Sequence, residues 1–377
     1  MATLHLSLPV LTWAAHRSGR TLEALAEELA PPSKREMFLG GRLSTTQAES
    51  LAKRVNIPFG FLFLPHPPQI KRASLPDLRQ IANPEPLDDD FFDVLEDVQR
   101  KVEWFADYLR DIGAEKCEFV GRFPLRARPK AHEVAADITA TLGIADTDRT
   151  RCRDYAAFFT LLADRAETAG VLVFKSGIVR SNTKRGLSVN KFRGFAISNE
   201  LVPTVFINGQ DADAAWIFTL VHELAHIWIG ESGVSDSSLE ARASEQVVER
   251  FCNRVAAEVL TPREEFVASW TDAQEAEIDS LSRRFRVSKL VIARRALDLK
   301  LLTWDDYLRA ARLRPRVKDS GGDPYRTIPA RNSKRFTRAL LLSAMQGGTM
   351  LRDAASLLNI RPDTVVKLAR RVLETPS

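Results

Sequence analysis

Apolar residues recur at intervals of three and four along most of the chain, and this period predicts a mostly helical protein. In the first 65 residues the pattern predicts short helices at 11–18, 21–29, 33–40 and 45–55. Thr21 and Ser33 are placed to cap two of these helices, and Ser44 or Thr45 would cap the last. We therefore expect a compact helical domain at the start of the chain.

A longer helix is predicted over 91–113, because its apolar residues fall on one stripe: Leu95, Val98, Val102, Phe105 and Leu109. Acidic residues at 88–90 would face the positive end of its helix dipole. Helices are also predicted at 132–142 and 155–169, and helix-forming sequence dominates from about residue 211 to the end.

Three short runs rich in β-branched and aromatic residues, at 171–174, 194–198 and 204–207, interrupt the helical pattern. Their Gly and Asn boundaries favour strands, which would form one small antiparallel sheet. The predicted fold class is therefore α+β and mostly helical.

Changes in pattern divide the chain into four predicted parts. Residues 1–65 form the first helical domain, and the proline-rich end of segment 58–68 marks its boundary, since a helix cannot continue through it. A helical connector is predicted at 66–129, a domain with the sheet at 130–300, and a basic helical region at 301–377.

Composition is that of a globular protein, with 45% hydrophobic and 27% charged residues. No apolar run approaches the length of a membrane span, and the first residues lack a secretory leader pattern, so a cytoplasmic location without membrane contact is expected. The three cysteines are scattered and odd in number, which favours reduced thiols over disulfides. The sequence does not predict an oligomeric state.

The net charge of +5 hides an asymmetry, because residues 283–377 carry 22 Lys/Arg against 8 Asp/Glu. This basic block suggests contact with nucleic acid or an acidic partner. Solvated helix faces are an equally good explanation.

The helix spacing in residues 1–65 resembles the phage-repressor-like Xre domain, a helix-turn-helix unit in which Ser33 to Phe38 would begin the recognition helix. Only Lys34, Arg35 and Arg42 could serve as basic DNA contacts there. The alternative is a degenerate domain that mediates protein contacts only.

The sequence His222-Glu223-Leu224-Ala225-His226 lies within an apolar, helix-forming segment, 216–229. Two histidines four residues apart on a helix share one face and can provide two zinc ligands, while Glu223 lies beside the metal without binding it. Glu223 is then suited to accept a proton from the attacking water and later donate it to the leaving amine. The alternative is a pair of hydrogen-bonded core histidines, but burying these polar residues in an apolar helix would be costly without partners.

Two further features complete this hypothesis. The preceding strand, 204–208, could be an edge strand that holds an extended peptide by main-chain hydrogen bonds. A third ligand is expected from a helix over 241–260, which offers Glu245, Glu249 and Glu258. Glu249 is the best placed of the three, because apolar residues surround its helix face.

These motifs are similar to those of the ImmA/IrrE metallopeptidases. The resemblance lies in the strand 204–208, the His-Glu-Leu-Ala-His helix, and the run from Glu249 through Asn253 and two alanines to Pro262. The upstream Pro-Phe-Gly-Phe-Leu-Phe-Leu-Pro at 58–65 resembles members that carry an Xre-like domain, so the resemblance spans nearly the whole chain.

The resemblance implies a zincin-like metallopeptidase core with one Zn²⁺ per chain. His222, His226 and Glu249 match the metal ligands, and Glu223 matches the catalytic glutamate. Cys252 and Thr261 depart from the family's common Ala and Met without removing a ligand. The resemblance also implies an endopeptidase that cuts a specific partner, a DNA-binding repressor or antitoxin-like protein, in stress response, mobile-element or toxin–antitoxin control.

Two helix-turn-helix patterns follow in the basic C-terminal part. The first spans 281–297 with Ser288 as a cap, and the second spans 351–371 and places Lys367, Arg370 and Arg371 on its second helix. These side chains could contact DNA, although helix pairs with short turns are also common packing units. A DNA-binding regulator or toxin–antitoxin component with a non-catalytic metal site is therefore the alternative to the peptidase.

Overall fold

A computed structural model describes residues 3–18, 20–55, 57–68, 75, 77, 87–235, 247–271, 275–311 and 324–374. The described residues up to 68, together with 87–93, form one compact unit; residues 75 and 77 and those from 94 onward form another. Helices dominate both units, and each contains a small sheet, which confirms the predicted α+β, mostly helical class. The four sequence-based part boundaries stay predictions.

The first unit contains, in chain order, β1 (Thr3–His5), α1 (Leu8–Arg17), α2 (Leu22–Leu29), α3 (Arg35–Leu39), β2 (Arg42–Ser44) and α4 (Thr45–Arg54). The Thr21 side chain accepts a hydrogen bond from the backbone N–H of Ala24, and Ser44 forms a capping box with Gln47. These two caps confirm the predicted starts of α2 and α4, since each satisfies a free backbone N–H.

The first unit differs from the sequence-based picture in three places. Ser33 does not cap a helix as expected, because it lies in a 3₁₀ turn and the N-cap residue of α3 is Lys34, which makes no side-chain cap. The antiparallel pair β1–β2 was not predicted, because three-residue strands give no detectable alternation. The expected recognition helix is the five-residue α3, preceded by a 3₁₀ turn at Pro32–Lys34. The helix-turn-helix assignment of this unit stays a prediction.

The second unit contains most of α5 (Asp89–Asp111) and then α6 (Ala131–Leu142), α7 (Asp146–Arg151), α8 (Tyr155–Ala169), β3 (Leu172–Ser176), β4 (Gly194–Ile197), β5 (Thr204–Asn208), α9 (Asp213–Ile229), β6 (Gly233–Ser235), α10 (Val247–Leu260), α11 (Arg263–Ser269), α12 (Glu275–Phe285), α13 (Lys289–Asp298), α14 (Trp304–Ala311), α15 (Pro324–Arg331), α16 (Lys334–Met345), α17 (Leu351–Leu358) and α18 (Pro362–Glu374). The five stripe residues predicted on α5 are all buried. Ser288 caps α13, as its position predicted.

The sheet of the second unit has the strand order β3-β5-β4-β6. It is mixed and not purely antiparallel as predicted, because β5 lies between β3 and β4 and runs parallel to β3. The expectation that 204–208 is an edge strand was also wrong, since all five residues of β5 are buried between two neighbouring strands. Its continuous apolar run, Val205 to Ile207, is typical of such an interior strand.

Helix α9 lies at the centre of the second unit's core. All residues from Ile217 to Ile229 are buried, and the helix packs against α6, α8, α10 and the strands β4 and β5. The three cysteines are free, as predicted. Within the described residues, no helix combines the length and apolar character needed to cross a membrane.

Candidate metal centre

Helix α9 places His222 and His226 one turn apart on the same face, with both side chains fully buried. Their Nε2 atoms are 3.1 Å apart. Two imidazoles brought this close inside an apolar core need a shared partner, because an unpaired buried polar group is costly.

Helix α10 supplies that partner through Glu249. The Glu249 carboxylate places Oε2 3.1 Å from His222 Nε2 and Oε1 2.9 Å from His226 Nε2. One donor atom from each of the three residues lies within 4.8 Å of the others. The structure thus brings together the three residues that the sequence pattern singled out as ligands.

Of the two alternative third ligands, only Glu258 lies in the described part of the chain, and it does not join this cluster. Glu258, at the far end of α10, forms an ion pair with Arg295 and also accepts from the backbone N–H of Arg263. Glu245 lies outside the described residues. Among the described acids of α10, Glu249 is the one that contacts both histidines.

The donor spacing fits a zinc ion. Zinc binds nitrogen and oxygen at about 2 Å in a tetrahedral arrangement, which separates neighbouring donors by about 3.3 Å. The observed separations of 2.9 to 3.1 Å are close to that spacing. Two imidazoles and one carboxylate also leave a fourth position free, as catalytic zinc sites require.

The three side chains of the cluster have different pKa shifts, and the two histidines shift in opposite directions. Burial alone would lower the pKa of His222, but the Glu249 carboxylate beside it raises that pKa to about 9. Burial alone would raise the pKa of Glu249, but His222 and the two histidine hydrogen bonds lower it to about 2. Burial lowers the pKa of His226. Without a metal, the cluster therefore holds a carboxylate, one cationic histidine and one neutral histidine.

Glu223 lies beside this set on the same helix and is fully buried. Its Oε1 accepts a hydrogen bond from the Ser235 hydroxyl on β6, and burial raises its pKa to about 8. Its Oε2 is buried and has no hydrogen-bond partner among the residues that the structure describes. A carboxyl group poised near neutral pH with one free oxygen is suited to general acid–base chemistry.

Asn253 is a neighbour of the cluster that the sequence analysis did not single out as a site residue. It lies one turn after Glu249 on α10, and its Oδ1 is 3.0 Å from Nδ1 of His222. Because Nε2 of His222 faces His226 and Glu249, an imidazole that binds a metal there would carry its proton on Nδ1 and donate it to this oxygen. A partner of this kind fixes the tautomer and the ring orientation of a ligand histidine. The spacing of four residues after Glu249 was the available signal.

We expect Asn253→Ala to weaken zinc binding by roughly 10- to 100-fold, because the acceptor that orients His222 is lost. Competition with a fluorescent chelator measures the affinity. Asn253→Asp keeps an acceptor and should retain most of the affinity. Equal zinc affinities for Asn253→Ala and the wild type would contradict the orienting role.

The residues proposed for DNA contact belong to other elements than α9 and α10, which carry this cluster. Lys34 ends the 3₁₀ turn, Arg35 begins α3 and Arg42 begins β2; Lys34 and Arg42 are exposed and Arg35 is half-buried. Helices α17 and α18 form the second predicted helix-turn-helix, with the turn at Asn359. Lys367, Arg370 and Arg371 are exposed on α18. DNA contact by either group stays a prediction.

A buried His-His-Glu donor set with a non-ligand glutamate on the histidine helix is the arrangement of a metallopeptidase centre. Residues 166–297 match a peptidase family model described as the IrrE N-terminal-like domain. This part of the chain therefore matches a metallopeptidase domain of the ImmA/IrrE family, which confirms the resemblance of the peptidase motifs. The resemblance of residues 1–65 to an Xre-like domain lies outside the matched range and stays a prediction. The matched range contains every residue of the centre.

A second family model, described only as a domain of unknown function (DUF8813), matches residues 332–371, which include α16, α17 and most of α18. No curated protein sequence matches the chain at a significant level.

Proposed function

We propose that this chain is a zinc-dependent endopeptidase whose metal is held by His222, His226 and Glu249. The observation that carries the proposal is the convergence of these three buried donors beside Glu223, which does not belong to the ligand set. Zinc in such a site supplies a Lewis acid that activates water and polarises a carbonyl group.

The chain's own residues supply the remaining chemistry. Glu223 accepts a proton from the attacking water and donates it to the leaving amine as the peptide bond breaks. Its burial supports this role, because the raised pKa lets the carboxyl group both accept and release a proton near neutral pH. A purely structural zinc site would use a closed set of ligands and would have no need for this carboxylate, which favours a peptidase over a regulator with a non-catalytic metal.

The proposed substrate is a specific regulatory protein, such as a repressor or an antitoxin-like DNA-binding protein. The support is the family resemblance, which also implies a setting in stress response, mobile-element control or a toxin–antitoxin system. Under this proposal the basic C-terminal helices are a surface for such a partner or for the nucleic acid that it binds.

The test of the metal centre is elemental analysis of the purified protein after zinc reconstitution and removal of free metal. We expect about one zinc per chain in the wild type, in Glu223→Gln and in Glu258→Gln. We expect His222→Ala and Glu249→Ala to lose the metal, because each removes a ligand. Glu258→Gln is the matched control for Glu249, since it changes an acid on the same helix that pairs with Arg295 instead. A wild type that takes up no zinc would overturn the proposal.

A further inference from the structure

Strand β6 returns the chain to the active-site helix soon after that helix ends. Helix α9 ends at Ile229, Gly230 adopts a left-handed backbone conformation, and β6 begins at Gly233. This short return places Ser235, the last residue of β6, against a residue near the middle of α9. The Ser235 hydroxyl donates a hydrogen bond to Oε1 of Glu223, and both residues are fully buried.

The two oxygens of the Glu223 carboxyl group therefore have different surroundings. Oε1 is held by Ser235, whereas Oε2 is buried and without a hydrogen-bond partner in the described part of the chain. Because a carboxyl group is rigid and planar, a hydrogen bond that holds one oxygen also limits the direction of the other. The geometry leaves Oε2 as the oxygen available to exchange a proton.

Strand β4 shapes the other side of the same carboxyl group. Gly194 is the register partner of Ser235 across the β4–β6 pair. A Cβ atom at Gly194 would lie 2.7 Å from Oε1 of Glu223 and 2.8 Å from Cγ2 of Thr219, closer than real side chains approach. Two cross-strand neighbours thus determine where the Glu223 carboxyl group lies. Ser235 holds it by a hydrogen bond, and Gly194 has no side chain that would occupy its position.

We propose that Ser235 is a positioning residue that orients Glu223 toward the metal centre and acts through this carboxyl group alone. The proposal rests on the proposed function, since it assigns Ser235 a role in the same centre. A serine with a purely structural role would instead contribute to folding, and its loss would disturb the site whether or not Glu223 carried a carboxyl group.

The test uses the full-length zinc-loaded protein and acetohydroxamic acid as a probe. A hydroxamate chelates zinc and shares a proton with a neighbouring carboxylate, so its affinity reports the orientation of Glu223 without a protein substrate. We expect Ser235→Ala to weaken hydroxamate binding about tenfold in calorimetric titration, because the hydrogen bond to a charged group is lost. Ser235→Thr keeps the hydroxyl group and should restore most of the affinity.

The same substitution in a Glu223→Gln background separates positioning from structure. If Ser235 acts only through the carboxylate, Ser235→Ala causes no further loss there, and the two effects are not additive. Ser282→Ala is the matched control, because Ser282 is a buried serine that donates to the carbonyl of Val287 and contacts Tyr155, outside the centre. It should bind the probe as the wild type does.

The outcomes are distinguishable when zinc content is measured for every variant. Unchanged hydroxamate affinity in zinc-loaded Ser235→Ala overturns the positioning role and leaves the proposed function intact. An equal loss in the Glu223→Gln background also overturns it, since the effect would not pass through the carboxylate. A wild type that binds no zinc overturns the proposed function, and the positioning role falls with it.

Discussion

Glu223→Gln is expected to slow peptide cleavage by up to about 10⁴-fold while the protein keeps its zinc. The substitution preserves the size of the side chain and leaves His222, His226 and Glu249 unchanged, but an amide cannot accept the proton from the attacking water. General acid–base catalysis contributes about 10²- to 10⁴-fold to a rate, so a loss of kcat of that order is expected. Because both the attack on the carbonyl and the departure of the amine use this group, we expect a loss at the upper end of the range.

The measurement compares new protein N-termini in cells that produce the wild type with those in cells that produce Glu223→Gln. Proteins cut only in the wild-type cells are then purified and digested in vitro to obtain kcat for both enzymes. Glu231→Gln is the control, because Glu231 is an exposed acid just after the end of α9. A Glu223→Gln enzyme that cleaves the same protein at a rate similar to the wild type would rule out this carboxyl group as the base.

The clustering of His222, His226 and Glu249 could be predicted from sequence because local periodicity determines much of its geometry. Four residues make about one helical turn, so the positions of His222 and His226 determine a shared face before any tertiary contact is known. Glu249 followed from the same logic, since its neighbours on the helix are apolar. These are properties of single helices, which sequence patterns describe well.

The contacts of Ser235 and Gly194 with Glu223 could not be predicted in that way, and the four-residue spacing from Glu249 to Asn253 did not show which residue Asn253 contacts. Each contact joins two separate elements: β6 with α9, β4 with α9, and α10 with α9. Strand order is equally non-local, which is why the parallel pairing of β3 with β5 was missed. The interior position of β5 could have been predicted from the sequence, since its unbroken apolar run differs from the alternation of a half-exposed edge strand.

In the basic C-terminal part, the structure shows which of the basic residues counted in the sequence make contacts within the chain. Lys334 and Arg335 begin α16, where their backbone N–H groups donate to the Glu167 carboxylate of α8. The Lys334 side chain pairs with Asp164 at 2.6 Å, and Arg335 donates to the carbonyl of Gly170. The Glu167 carboxylate also interacts favourably with the positive N-terminal end of the α16 helix dipole. Part of the positive charge therefore attaches α16 to the peptidase domain and is not available to a partner.

A buried polar network provides a second attachment of this C-terminal part. On α5, Asp97 accepts hydrogen bonds from Lys101 and from Arg100, and the side chain of Asn359 in the α17–α18 turn also donates to it. Lys101 in turn donates to Asn332 at 2.8 Å. Burial lowers the pKa of Lys101, and the neighbouring Asp97 carboxylate opposes that effect. Asp97 is thus the group that offsets the cost of burying the Lys101 ammonium.

Asp97→Ala is therefore expected to destabilise the protein by about 3–5 kcal/mol, the usual cost of leaving one partner of a buried ion pair uncompensated. Lys101→Met should cost clearly less, because it removes the buried charge and leaves Asp97 with Arg100 and Asn359. Urea unfolding followed by circular dichroism measures both changes in the free energy of unfolding. Asp107→Ala is the control, because it breaks an exposed ion pair with Arg110 on the same helix and should have little effect. If Asp97→Ala proves no more destabilising than Lys101→Met, the carboxylate does not compensate Lys101. The attachment of α17 and α18 would then depend on apolar packing, such as that of Leu358 and Val365, and not on this network.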